Sequence, residues 1–318
     1  MNITPFPGYE NHLLSYLRAD SEELRKRRAA QGEAIVSYEL PEGMTMENRV
    51  IPGGDGQDMN IRVYTPAGLD ADAPMVLEIH GGAFVGGNLD IDNSRCIAIA
   101  QRVPCVVVGV EYRLCNDGKT HYPKPLEDCH AAYVWMQEHA AELGGDPKRI
   151  GLHGSSAGGT LCAGLALYLR DRGELTPALT VCNCACYTTA ISETTAYQQL
   201  SQFVMGPEEK ALGAEFAYLG GYNGAQPPYY AFPLFCHDLG GLGAHLIICA
   251  EYDTLRDGSF DYAQRLMRNG VPVDFIMGGR VGHCYSCAPH PYTDLTHDVI
   301  AMAFRREFGL LDGLKKEV

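Results

Sequence analysis

The chain is short of positive charge. It carries 25 Lys and Arg against 39 Asp and Glu, a formal net charge of −14 over 318 residues. A surface this acidic repels a phosphate backbone and anionic lipid, so no nucleic-acid partner and no membrane partner are expected. Long apolar runs are also missing. The longest, Val103 to Val110, contains Pro104 and falls far below the roughly 18 residues of a membrane span. The opening Met1-Asn2-Ile3-Thr4-Pro5-Phe6-Pro7 has neither a basic nor an apolar leader region, so a cytoplasmic location is expected. No internal repeat or low-complexity stretch occurs. No G-K-[ST] follows the glycines at 154–159, which excludes a nucleotide P-loop there.

Cysteine is plentiful instead. Twelve cysteines would allow six disulfides, but disulfide scaffolds are short secreted chains with small cores. With 46% hydrophobic residues a large core is available, and the cysteines read as reduced interior thiols. Cys284 and Cys287 form C-x-x-C, and Cys182, Cys184 and Cys186 alternate along a strand. Zinc wants a second paired cluster and redox chemistry wants C-x-x-C at a helix start, so neither is expected.

The first 40 residues read as helical, with one amphipathic piece over Asn11–Arg18 and an Asp20/Glu23 capping box opening a second. Arg25-Lys26-Arg27-Arg28 inside it reads as a solvated face, because Glu22 and Glu23 lie four residues before Lys26 and Arg27. From residue 46 the pattern changes. Asn48–Ile51 and Asp58–Tyr64 form a predicted hairpin around Gly53-Gly54-Asp55-Gly56. Strands are then predicted over Met75–Ile79, Cys105–Val110, Arg149–His153, Ala178–Cys182, His245–Ala250 and Val273–Met277. Helical stretches lie between and after them: Ile91–Gln101, Pro125–Leu143, Ala157–Arg172, Ser259–Asn269 and Asp294–Phe308. Alternation of this kind predicts an α/β fold, a mostly parallel central sheet with helices on both faces. Gly-Gly pairs are expected to punctuate strand-to-helix junctions. The stretch Tyr187–His237 breaks the alternation, is too long for a plain loop, and reads as an insertion over the ligand crevice.

Gly154-Ser155-Ser156-Ala157-Gly158 carries the strongest chemical signal. It sits between a predicted strand and a predicted helix, the setting of a nucleophile elbow. Small neighbours let the turn lift Ser156 off the sheet, and the Ala157 N–H then faces an oxyanion. His80-Gly81-Gly82-Ala83-Phe84, also ending a strand, reads as the second half of that oxyanion hole. A nucleophilic serine needs a base and the base an orienting carboxylate, in the order Ser, Asp or Glu, His. His237, His245, His283, His290 and His297 follow Ser156. His283 is favoured because it lies in a loop past a strand end, whereas His245 begins a strand and His297 sits within a helix. Asp253 is favoured over Glu251, still at the strand end, and Asp257, which reads as a helix cap.

With these motifs in place the chain resembles the hormone-sensitive-lipase-like branch of the α/β-hydrolases, which holds many bacterial carboxylesterases and acetyl esterases. The likeness runs from about residue 58 to 308: HGGAF at 80–84, EYRL at 111–114, YPKPLED at 122–128, DPKRIGLHGSSAGG at 146–159, YAFPL at 230–234, EYDTLRD at 251–257 and GH at 282–283. It implies a Ser156, Asp253 and His283 triad. The oxyanion hole would be the N–H groups of Gly82, Ala83 and Ala157, with Gly81 shaping the turn. It implies hydrolysis of short-chain esters through an acyl-enzyme, with no metal or organic cofactor. It also implies a helical cap from residues 1–45 and 187–237 over a hydrolase core of 46–186 and 238–318. Phe84 and Ser155 are candidate pocket residues; Tyr187 and Phe203, with Phe216 and Tyr230, are candidate walls too, although a core role is favoured for each of these four. The expected partner is a small-molecule ester, and the protein a monomer or homodimer. An amidase or formamidase with the same triad, or a non-catalytic relative, are the other readings. Two positions depart from the family pattern. Ala83 stands where a third glycine is usual, so the loop is expected to stay in an ordinary backbone region. Ser155 stands where Asp or Thr is usual. Cys284, beside His283, is expected to be sensitive to thiol reagents.

Overall fold

The computed structural model describes residues 4, 6–8, 40–204, 214–221, 226–287 and 290–311. The predicted N-terminal helices and the basic run at 25–28 lie outside these residues.

Eight strands form one sheet: β1 (Thr45–Pro52), β2 (Asp58–Thr65), β3 (Ala73–Ile79), β4 (Val106–Val110), β5 (Gly145–Ser155), β6 (Leu179–Asn183), β7 (Ala244–Tyr252) and β8 (Val273–Gly282). Their order is β1-β2-β4-β3-β5-β6-β7-β8. The hairpin β1–β2 and the β2–β4 pair are antiparallel; every other pair is parallel. The helices are α1 (Asn93–Arg102), α2 (Lys124–Glu138), α3 (Ala140–Leu143), α4 (Ala157–Asp171), α5 (Thr195–Val204), α6 (Ala214–Leu219), α7 (Arg256–Arg268) and α8 (Pro291–Glu307).

Alternation along each strand decides which face each residue enters. Leu77, Val108 and Leu152 point to one side, where Leu126 and Tyr133 of α2, Leu161 of α4 and Leu266 of α7 cover them. Val76, Val107, Val181 and Leu246 point to the other, under Ile97 of α1 and Ile300 and Phe304 of α8. β3, β4 and β6 are wholly buried, which is why they read as continuous apolar runs.

Two expectations change. The helical stretch Pro125–Leu143 is two helices, because the chain turns at His139, whose N–H still bonds the Trp135 carbonyl. Gly278-Gly279 is no junction. It lies inside β8, where a Cβ at 278 would come 2.7 Å from the Tyr285 ring.

Strand order places the crevice. β3 lies between β4 and β5, so the chain leaves β3 toward one side and returns to pair on the other. Loops at the carboxyl ends of β3 and β5 therefore diverge, and a cleft opens between them. The HGGAF loop follows β3 and the Ser156 turn follows β5.

Candidate active site

Ser156 sits alone between β5 and α4 at φ 55 and ψ −122, a conformation an L-residue holds only under constraint. Its N–H donates to the Asn183 carbonyl at 2.8 Å, and its own carbonyl accepts from the Thr160 N–H at 3.1 Å. Close approach from below completes the clamp. A Cβ on Gly158 would stand 1.9 Å from the Ile79 carbonyl oxygen, so only glycine lets α4 start against the end of β3.

Asp253 follows β7 and is buried; His283 follows β8 and is partly exposed. Asp253 Oδ2 lies 2.7 Å from His283 Nδ1, and Asp253 Oδ1 accepts from the Leu255 N–H at 2.9 Å. That pairing puts the imidazole proton on Nδ1 and leaves the Nε2 lone pair for the Ser156 hydroxyl, 2.9 Å away. Three residues separated by up to 127 positions thus form one hydrogen-bonded chain across β5, β7 and β8.

The loop after β3 turns on Gly82, whose carbonyl accepts from the N–H groups of Val85 (3.1 Å) and Gly86 (2.9 Å). Among the described residues the N–H groups of Gly82, Ala83 and Ala157 have no acceptor. Gly81 packs against the elbow, where a Cβ would lie 2.9 Å from the Ser155 carbonyl oxygen. The expectation that Ala83 keeps an ordinary backbone is overturned: Ala83 has φ 56 and Phe84 φ 63. The turn needs left-handed residues there, and neighbouring contacts enforce them. Phe84 stacks on Tyr218 of α6 with ring centroids 4.0 Å apart, and its carbonyl accepts from the Cys115 N–H at 2.8 Å.

The pocket residues change most. Phe84 and Ser155 are each 3% exposed and Tyr187 is 1% exposed. All three are buried. Phe84 is fixed by Tyr218, and Tyr187 stacks on Tyr262 at 4.4 Å. Ser155 is enclosed at the end of β5, its hydroxyl without a partner among the described residues. Tyr230 turns away and donates its hydroxyl to Asp171 at 2.9 Å. The side chains of Phe203 and Phe216 lie outside the described residues. Asp257 does not cap its own helix. Its carboxylate accepts from the Ala196 N–H at 2.7 Å, in the first turn of α5. Glu251 accepts from the Arg280 N–H at 2.6 Å and straps β7 to β8.

Three supporting groups escape a reading of the sequence. Asn183, on β6, holds the Ser156 N–H with its carbonyl and donates its side-chain amide to the Ser286 hydroxyl at 2.7 Å. It thereby links the elbow to the loop carrying His283. His80 is buried, stacks on Tyr112 at 4.2 Å and places Nδ1 2.7 Å from the Gly81 carbonyl; burial holds it below the usual imidazole range. Deeper, Glu78 of β3 lies 2.5 Å from His153 Nδ1 of β5 and 3.2 Å from Arg95 Nη1. Burial pushes the Glu78 carboxyl up to about 8 despite Arg95, and holds His153 well below the imidazole range. Burial thus favours the neutral form of each partner, joined by one hydrogen bond. Only the first half of H-G-G could have flagged His80; a lone Asn or Glu ending an apolar strand carries no pattern.

All twelve cysteines are free thiols. No helix among the described residues is long and apolar enough to cross a membrane. A cleft of about 750 Å³ between the insertion and α7, lined by Glu193, His237, Asp257 and Arg265 among others, contains none of Ser156, Asp253 or His283.

Comparison with known proteins agrees with this fold. The profile of the α/β-hydrolase fold family matches residues 76–287. A carboxylesterase of Mycobacterium tuberculosis is 33% identical over 282 residues, covering 86% of this chain and 84% of its own. An arylesterase of Saccharolobus solfataricus is 28% identical over 291 residues, covering 91% of this chain and 92% of its own. Among solved structures, a bacterial heroin esterase superposes with a TM-score of 0.83 at 30% identity, over 90% of this chain and 91% of that one. The chain belongs to the α/β-hydrolase fold family, in its hormone-sensitive-lipase-like branch of carboxylic ester hydrolases.

Proposed function

We propose that the protein hydrolyses short-chain, acetyl-type esters by two-step acyl transfer, with Ser156 as nucleophile, His283 as base and then acid, and Asp253 as its orienting partner. The observation that carries this reading is the unbroken chain Asp253 Oδ2, His283 Nδ1, His283 Nε2, Ser156 Oγ at 2.7 and 2.9 Å. Ser156 attacks the ester carbonyl as Nε2 takes its proton. Asp253 holds the tautomer and stabilises the imidazolium. The N–H groups of Gly82, Ala83 and Ala157 receive the oxyanion; each such donor is worth about 2.7–4 kcal/mol at the transition state. His283 then gives its proton to the leaving alcohol, and water repeats the sequence to release the acid. No step requires a metal or organic cofactor.

A short acyl group is supported by what stands behind the oxyanion loop. Phe84, Tyr218, Tyr122 and Phe232 pack ring against ring there, at centroid separations of 4.0 to 6.0 Å, and on this reading they close the acyl side of the site. We further assign residues 1–45 and 187–237 as a cap over the core formed by 46–186 and 238–318. The test is turnover of p-nitrophenyl acetate, butyrate, octanoate and palmitate by wild type and Ser156→Ala. Wild type should favour the two short esters and the variant should be inactive. A variant near wild-type rate would overturn the triad, and preference for palmitate would overturn the short-chain reading.

A further inference from the structure

Cysteine gathers beside His283 in a way the sequence hides. Cys284 follows the histidine directly. Cys184, a hundred residues earlier, follows β6 directly, so it and Cys186 lie past the strand rather than along it. One ligand atom each from Cys184, His283 and Cys284 lie within 4.8 Å of one another. The Cys284 N–H donates to Cys184 Sγ at 3.4 Å, which fixes the two residues side by side. Cys287 extends the row, and its Sγ stands 2.7 Å from Arg95 Nη2. The C-x-x-C spacing has no second cysteine pair in the sequence; the fold supplies another thiol from the residue after β6 instead.

Two thiolates and an imidazole are the donor set that thiophilic d10 cations select. Tetrahedral zinc, with sulfur at about 2.3 Å and nitrogen at about 2.0 Å, holds its ligand atoms about 3.5–4 Å apart, so the three side chains need close by only about 1 Å. Cys284 and His283 are partly exposed, which gives an ion a way in from the substrate side. Both ring nitrogens of His283 are already engaged, Nδ1 by Asp253 and Nε2 by Ser156. A metal that takes either one cuts the hydrogen-bonded chain.

We propose that Cys184, Cys284 and His283 form an inhibitory binding site for zinc or a similar thiophilic divalent cation, with water as fourth ligand. Binding exchanges two thiol protons for the ion. Two protons go to solvent, two thiolates and the neutral imidazole coordinate, and the centre is left without net charge. Nothing is oxidised or reduced. The loss of activity rests on the proposed role of His283, whereas the binding itself does not.

The experiment uses the full chain, treated with EDTA and dialysed. Zinc chloride is titrated against p-nitrophenyl acetate turnover, and cobalt(II) chloride is titrated separately while thiolate-to-cobalt charge-transfer absorption is followed. Wild type should lose activity with one equivalent bound and recover it in EDTA. Cys184→Ser and Cys284→Ser should each raise the half-inhibiting zinc concentration at least about tenfold while keeping metal-free activity within about threefold. Cobalt should give the thiolate band in wild type and in Ser156→Ala, but not in the double serine variant. Equal zinc sensitivity in wild type and the double variant would overturn the proposal, as would absence of the band in wild type. The wild-type cobalt spectrum decides the matter even if a serine variant fails to fold. A protein that binds cobalt through thiolate but hydrolyses no ester would overturn the proposed function and leave the metal site standing.

Discussion

Ser156 shows how much a single backbone angle can carry. Its φ of 55 turns the hydroxyl out of the sheet and its N–H inward to Asn183. On the proposed mechanism, Ser156→Ala should lower kcat by about 10⁶-fold and Asp253→Asn by about 10⁴-fold, with both variants still folded; single-turnover kinetics and circular dichroism check this. Ala83 holds a similar angle without a glycine's freedom. Ala83→Gly relieves a left-handed penalty of about 1–2 kcal/mol but returns about 0.4–1 kcal/mol to the unfolded chain, so a melt should show a small gain and activity should persist. Ala83→Val forces a β-branched side chain into the same angle and should lower both Tm and kcat. The meeting places of Ser156, Asp253 and His283 were legible because each stands at a strand end, where the order of residue types is restrictive. Phe84 and Tyr187 were not, since an aromatic residue in a loop reads the same whether it walls a pocket or plugs the core. What distinguishes them is a stacking partner more than seventy positions away: Tyr218 for one, Tyr262 for the other.

At the level of elements, α6 acts on the oxyanion loop through one ring. Tyr218 stacks on Phe84 and, through its carbonyl, accepts the Tyr122 N–H at 2.7 Å. Tyr218→Ala removes a buried aromatic side chain, with an expected stability loss of about 3–5 kcal/mol, and frees Phe84 to swing, so kcat should fall along with Tm. Tyr218→Phe keeps the ring and discards a buried hydroxyl that has no partner among the described residues, so activity should hold and Tm should not fall. The Glu78–His153 pair joins β3 to β5 beneath the site and makes stability depend on pH. Because Glu78 binds its proton more tightly folded, near 8, than unfolded, stability from this group is greatest at low pH and declines as pH rises through about 8. Tm measured from pH 6 to 9 should therefore fall less steeply in Glu78→Gln than in wild type. Most strands were readable as short apolar runs and most helices from their alternation with them, and the hairpin from its Gly-Gly-Asp-Gly turn, but α5 and α6 inside the insertion were not. Element ends were less so. β8 runs through its glycine pair to Gly282 because Tyr285 needs the space at 278, a contact no local window contains.

For the whole molecule, the mostly parallel sheet was foreseeable, but the strand order that opens the cleft was not. Adjacency of β3 to both β4 and β5 arises from crossovers that apolar runs do not encode. The acidic balance of −14 acts at this scale too. An acetyl ester bearing a carboxylate should show a higher KM than its neutral analogue at low salt, and the gap should narrow as ionic strength approaches about 0.15 M, where the Debye length is about 8 Å. Dialysis against EDTA should leave ester turnover unchanged or raised, since the proposed chemistry needs no metal and the proposed cation site opposes it.

Seven non-glycine residues among those described have positive φ, and five of them, Ala83, Phe84, Ser156, Cys184 and Cys284, belong to the proposed site or to the loops beside it. Each such angle stores about 1–3 kcal/mol that the rest of the fold must hold. Heat resistance and chemistry thus compete for the same few positions. A library screened by melting temperature alone would accept glycine at 83, where activity should persist, and would be blind to any exchange of Ser156, whose angle the proposed mechanism needs. A screen that scores turnover after heating would keep Phe84 and Ser156 as they are and gather its improvements on the far side of the sheet.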